Sequence, residues 1–107
     1  MKKIYFININ DLKESFSYEE IYKKVSLYRK RKVDKLIFEN DKWLSLGGEY
    51  LLMKGLEELK IDYSKIEIGY VENNKPILKN CKQKLYFNIS HSDEMAMCVI
   101  SNSEVRV

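Results

Sequence analysis

The segment Phe87-Asn-Ile-Ser-His-Ser92 sets Asn88, Ser90, His91 and Ser92 in quick succession behind an apolar run, and His91 is the only histidine in the chain. Hydroxyls and an imidazole beside backbone N–H groups freed at a strand end can donate to phosphate oxygens, and a protonated imidazole adds a charge-assisted bond. The charge distribution suits the same chemistry. Lys23 to Lys35 holds seven basic residues and one acid, a local +6 against −3 for the remainder of a chain whose net charge is +3. Such a patch attracts phosphates whether they sit on nucleic acid, anionic lipid or a nucleotide cofactor, so charge alone does not choose among them. The ordinary structural alternative is a turn residue for His91 and a cap for Ser90.

Other reactive residue types offer less. Cys81 and Cys98 lack C-x-x-C spacing and nearby histidines, which argues against a zinc or thioredoxin-like site, and Cys98 in Met-Ala-Met-Cys-Val-Ile reads as a core thiol. A reduced, cytoplasmic protein is expected. Asp93 and Glu94 have no second carboxylate on a shared face and read as turn residues in solvent, not metal ligands. Met95 and Met97 alternate with Ala96 and Cys98 as strand packing, and the eight tyrosines read as core-edge residues.

The elements that must position these groups follow from periodicity. A chain of 107 residues, 45% hydrophobic, with one proline and four glycines, fits one domain without linker or repeat. Its N-terminal apolar run is too short for a signal peptide, and no stretch approaches a membrane span. Ile4 to Ile9 reads as a strand. Ser17-Tyr-Glu-Glu20 fits a capping box, so a helix begins near Tyr18. Ser26 caps a second helical piece with Val33, Leu36 and Ile37 turned inward. Asn40 or Asp41 caps a long core helix, Lys42 to Lys60, with Trp43, Leu46, Tyr50, Met53 and Leu56 at helical spacing. Gly47-Gly48 within it costs about 1 kcal/mol per glycine relative to alanine and predicts a close approach. Ile66 to Tyr70 alternates as a strand, Asn73 to Pro76 reads as a turn, and Leu85 to Ile89 and Met95 to Ser101 read as strands. Ser101 to Glu104 reads as a hairpin turn and Val105 to Val107 as the start of one more strand.

Phe87-Asn-Ile-Ser-His-Ser92 with the following apolar strand resembles a signature of the surfactin-type 4′-phosphopantetheinyl transferases. Two further segments fit in the same order: Asn74-Lys75-Pro76 is similar to that family's Gly-Lys-Pro, and the basic helix followed by Trp43 to Leu52 is similar to its first helical region. The resemblance implies an α+β fold, one half of a pseudo-twofold molecule, with a long core helix packed on a mostly antiparallel sheet. It implies that Arg29, Lys32, Lys75, Pro76, Ser90 and His91 line the coenzyme A site around its phosphates and adenine. Basic groups and short donors from several elements suit a diphosphate and a ribose phosphate. For Arg29 and Lys32 the alternative is a solvated helix face.

Departures from the pattern shape the expectation. Asn74 stands where the family has glycine, and Leu44 where members often carry a basic residue. The chain ends at Val107, before the Asp-x-Glu pair that binds magnesium in the family, and before the second half that supplies a further carboxylate and a lysine. Residues 1–107 are therefore read as an N-terminal half-domain with no catalytic residue or metal ligand of its own, inactive alone. The complete enzyme would use Mg2+ and coenzyme A to modify a serine of an acyl or peptidyl carrier protein, with the missing half supplied by a second polypeptide or a homodimer partner. The alternative is a non-catalytic, truncated coenzyme-A-binding or dimerisation module. A nucleic-acid-binding domain built on Tyr28 to Lys32 ranks last, because the Phe87 to Ser92 match would then be coincidence.

Overall fold

The computed structural model describes residues 1–70, 76–79 and 85–102. Strand β1, Lys2–Asn8, ends where the Asn8 side chain accepts from the N–H of Asn10 at 2.8 Å and caps helix α1, Ile9–Ser15. Ile9, expected to end the strand, instead opens the helix, whose Ile9 and Leu12 are buried. Asparagine is among the strongest N-cap residues, and here the cap overrides the apolar run. Helix α2, Tyr18–Lys24, starts on the expected capping box: Glu20 N–H donates to Ser17 Oγ at 3.2 Å and Ser17 N–H to Glu20 Oε1 at 3.0 Å. Helix α3, Leu27–Asp34, is capped by Ser26 as expected.

Helix α4, Glu39–Glu58, begins three residues earlier than the sequence suggests; its N-cap is Phe38, with no side-chain cap bond, in place of Asn40 or Asp41. Because α3 stops at Asp34, residues 36–38 leave the helical repeat. Ile37, expected inward, is 86% exposed and Leu36 only half-buried. At its other end α4 closes in a Schellman arrangement, with Ile61 N–H donating to Leu56 C=O at 2.9 Å and Lys60 N–H to Glu57 C=O at 3.0 Å. Lys60 sits there at φ 59°, a left-handed position usually given to glycine.

A 3-10 turn, Tyr63–Lys65, leads into β2, Glu67–Tyr70, followed by β3, Pro76–Lys79, β4, Leu85–Ser92, and β5, Met95–Ser101. The five strands form one sheet in the order β1-β5-β4-β3-β2 with every neighbour antiparallel. Strand β3 was not read from the sequence; Pro76 stands at its first position, where a missing N–H is tolerated. Residues 73–75 of the expected turn, Cys81, and residues 103–107 with most of the expected last turn and strand lie outside the described residues. Helix α4 lies across one face of the sheet. Leu46, Leu52 and Leu56 from the helix meet Leu85, Phe87, Cys98 and Ile100 from the strands in the core. The close approach is at Gly48, where a Cβ would overlap Cγ2 of Ile89 and stand 3.3 Å from its Cβ. Cys98 is buried, and burial pushes its thiol up to about 12. Among the described residues no helix is long and apolar enough to cross a membrane.

Candidate functional site

Strand β4 runs further than expected and takes the motif with it: Ser90, His91 and Ser92 are strand residues paired with Met97, Ala96 and Met95 of β5. The two-residue turn between them is Asp93-Glu94, with Asp93 at φ 54°. Glu94 anchors that turn on α1: its carbonyl accepts from Ile9 N–H at 2.9 Å and its carboxylate from Asn10 Nδ2 at 3.1 Å. Both acids therefore shape a hairpin, as their sequence context suggested. Alternation along the strand puts Phe87, Ile89 and His91 on the face that carries α4, and Asn88, Ser90 and Ser92 on the other. Ser90 and His91, adjacent in sequence, thus send their side chains to opposite faces.

On the helix-bearing face a cleft of about 560 Å³ opens between α3, the start of α4 and the end of β4. Arg29 and Lys32 enter it from one face of α3, and Lys35 from the C-cap that ends the helix. Asp41 and Ser45 line it from α4, one turn apart, and Ile89 and His91 from β4. Of the residues the resemblance names, the structure brings Arg29, Lys32 and His91 to one cleft and turns Ser90 away from it. Lys75 lies outside the described residues, and Pro76 is placed only by its backbone at the head of β3.

Arg29 is not a solvated cation. Its side chain is buried, with Nε 3.4 Å from Oε1 of Glu49, whose side chain is wholly buried, and Nη1 donating to Ser45 Oγ at 3.1 Å. Glu49 also accepts from Ser26 N–H at 2.7 Å, from Ser26 Oγ at 3.0 Å and from the Tyr63 hydroxyl. Burial, followed by the charge and hydrogen bond of Glu49, pushes the Tyr63 phenol well above its ordinary range. Such a network tolerates no half-measure: removing one partner of a buried pair costs about 3–5 kcal/mol because the other charge stays buried. Lys32 and Lys35 are exposed point charges, with Lys32 Nζ 5.1 Å from the Tyr28 ring centroid, whereas Arg29 presents a fixed fork. Sequence reasoning missed Lys35, Ser45 and Glu49. Lys35 continues the spacing of Arg29 and Lys32, and that signal was available; Glu49 shows only as a lone acid inside an apolar helix repeat.

The arrangement suits a phosphate-bearing ligand: a guanidinium fork, two ammonium groups, a hydroxyl and an imidazole face one concavity. A family model described as 4′-phosphopantetheinyl transferase, N-terminal, matches residues 13–104. Among solved structures, holo-[acyl-carrier-protein] synthase of Helicobacter pylori, in complex with coenzyme A, superposes with TM-score 0.63 at 18% identity, over 94% of this chain and 97% of that one. Holo-(acyl-carrier-protein) synthase of Bacillus anthracis, in complex with CoA (3′,5′-ADP), gives TM-score 0.63 at 16% identity, over 92% and 91%. At these identities the likeness is one of fold, a single α+β domain with the long helix on an antiparallel sheet. Comparison with curated proteins gives no match.

Proposed function

From the premise that the chain belongs to the 4′-phosphopantetheinyl transferase N-terminal family, we propose that it holds coenzyme A as the N-terminal half of a surfactin-type transferase. In that reading a carrier-protein serine attacks the coenzyme A pyrophosphate, phosphopantetheine passes to the serine oxygen, and adenosine 3′,5′-bisphosphate leaves. The observation that carries it is the convergence of Arg29, Lys32 and His91 on one cleft. Arg29 and Ser45 supply directed donors to phosphate oxygens, Lys32 and Lys35 supply charge, and His91 donates from the sheet side. Lys75 and Pro76 enter as further contacts on the strength of the resemblance. Ser90 would have to reach the ligand through its backbone.

Magnesium does not fit the residues present. Among the described residues no three of His, Cys, Asp and Glu gather, and Asp41 is the one carboxylate lining the cleft. An ion bridging substrate phosphates would need carboxylates from elsewhere, consistent with a separate second half. The H. pylori and B. anthracis synthases favour a second reading: 97% and 91% of their chains are covered, so a unit of this size bears that name, and a second copy of this chain could complete the site.

Both readings meet one experiment. The chain is incubated with coenzyme A, magnesium and an apo acyl carrier protein, and the carrier's intact mass is followed. Transfer by the chain alone supports completion by self-association; transfer only after adding a second-half polypeptide supports the split enzyme. No transfer in either mixture, with no protection of the chain by coenzyme A, overturns the proposal. His91→Ala and Lys75→Ala are expected to weaken coenzyme A binding; unchanged affinity in both overturns the site.

A further inference from the structure

The wholly buried Glu49 does not line the cleft, yet its carboxylate ties together the elements that frame it. Its Oε1 faces Arg29 Nε at 3.4 Å and accepts from Ser26 Oγ at 3.0 Å; its Oε2 accepts from Ser26 N–H at 2.7 Å and from Tyr63. Ser26 N–H is shared with the Tyr63 hydroxyl at 2.9 Å. The carboxylate is thereby fixed by the start of α3 and by the 3-10 turn after α4, and it fixes Arg29 in turn.

We infer that Glu49, held by Ser26 and Tyr63, is a positioning residue that aims the Arg29 guanidinium at the phosphates of the ligand. This rests on the coenzyme A reading above. An arginine on an open helix face samples many rotamers, and ordering it on binding costs affinity. Here Nε is directed at Glu49, Nη1 at Ser45 and the guanidinium carbon lies 5.4 Å from the Tyr28 ring centroid, so the fork is in place beforehand where its residue lines the cleft. A buried carboxylate behind a phosphate site is, on charge alone, unfavourable for the phosphate. Its presence makes sense where direction matters more than net charge, with Lys32 and Lys35 supplying the attraction.

The two roles predict opposite signs. If Glu49 were only a nearby negative charge, Glu49→Gln would tighten coenzyme A binding. As the residue that aims Arg29, the same change should weaken it by about tenfold, the scale of one charge-assisted hydrogen bond. Tyr63→Phe, which lies outside the cleft and leaves the carboxylate charge in place, should weaken binding several-fold, and in an Arg29→Met background it should cost nothing further. The measurement is calorimetric titration of each folded variant with coenzyme A, with thermal melts alongside. Unchanged or tighter binding by Glu49→Gln overturns the inference. If that variant does not fold, Tyr63→Phe decides: weaker binding that vanishes in the Arg29→Met background supports it, and unchanged binding, or an equal loss in that background, overturns it. A wild-type chain that binds no coenzyme A overturns the functional reading and this inference with it, whereas binding by the wild type with unaltered variants overturns this inference alone.

Discussion

Gly47 and Gly48 are consecutive in α4, yet replacing each by alanine should move stability in opposite directions. Alanine gains about 1 kcal/mol over glycine in a helix interior. At Gly47 the new methyl would lie 3.4 Å from Ala96 Cβ and from Leu12 Cδ2 and 3.6 Å from Ile7 Cγ2, ordinary contact in a space that accepts it. Gly47→Ala should therefore stabilise by about 1 kcal/mol. At Gly48 the methyl would overlap Ile89 Cγ2 and stand 3.3 Å from Ile89 Cβ. Isoleucine is stiff at χ1, and rotating Cγ2 away swings Cγ1 toward its place. Strand β4 cannot recoil, being paired with β3 on one side and β5 on the other. Overpacking of this kind costs about 2–3 kcal/mol, so after the helix gain Gly48→Ala should lose roughly 1–2 kcal/mol. For a domain of this size the two variants should melt on the order of ten degrees apart. Urea denaturation reads the difference directly, with an unchanged m-value marking a change in stability alone. Ile89→Ala should cost less in the Gly48→Ala background than in the wild type, because it removes the clashing Cγ2. Equal signs for the two glycine variants, or an additive double mutant, would refute the close approach of α4 to β4.

Two more predictions concern local structure. Lys60→Gly should raise stability by about 0.5–1 kcal/mol by relieving a left-handed backbone at φ 59°, net of the added entropy of glycine in the unfolded chain; a lowered melting temperature would mean that the lysine side chain contributes packing the backbone does not show. Cys98, in a Cys81→Ser background, should resist disulfide reagents at mildly alkaline pH until denaturant is added, since burial pushes its thiol up to about 12 and leaves it wholly covered. Because its proton is held more tightly in the folded chain, its contribution to stability should be complete below the ordinary thiol range and fade as pH rises toward 12. Prompt labelling of the folded chain would contradict both statements.

The parts of this fold that were readable in the sequence are those fixed by neighbouring residues. The Ser17 to Glu20 box closes within one turn, α4 repeats its apolar residues from Trp43 to Leu56, and β2 and β5 fall where strands were read. Errors arose where a short polar residue competed with an apolar run, as at Asn8, or where a helical repeat was carried past its end, as at Ile37. The site shows the same boundary at larger scale. The motif around His91 was visible as text, but placing the strand end at Ile89 hid the pleat that parts Ser90 from His91. Nothing local announces the Arg29–Glu49 pair, whose members are 20 residues apart, or Tyr63, a further 14 residues on. A buried charge becomes readable only when its partner's position in space is known.

On the proposed reading, that division between local and distant contacts would also set how the cleft meets an anion. The run Lys23 to Lys35 is formally +6, but Arg29 stands beside a buried opposite charge, so the field felt at a distance comes from the exposed cations around it. Exposed charges are screened beyond about 8–10 Å at physiological ionic strength, while buried pairs are screened far less. Lys32 and Lys35 can then draw a phosphate inward in a salt-dependent way, and Arg29 with Ser45 can fix its orientation in a way salt alters little. A protein that relied on lysines alone would bind polyanions of many shapes. On the proposed reading, anchoring one guanidinium from behind would turn a general attraction for phosphate into a preference for a phosphate in one place.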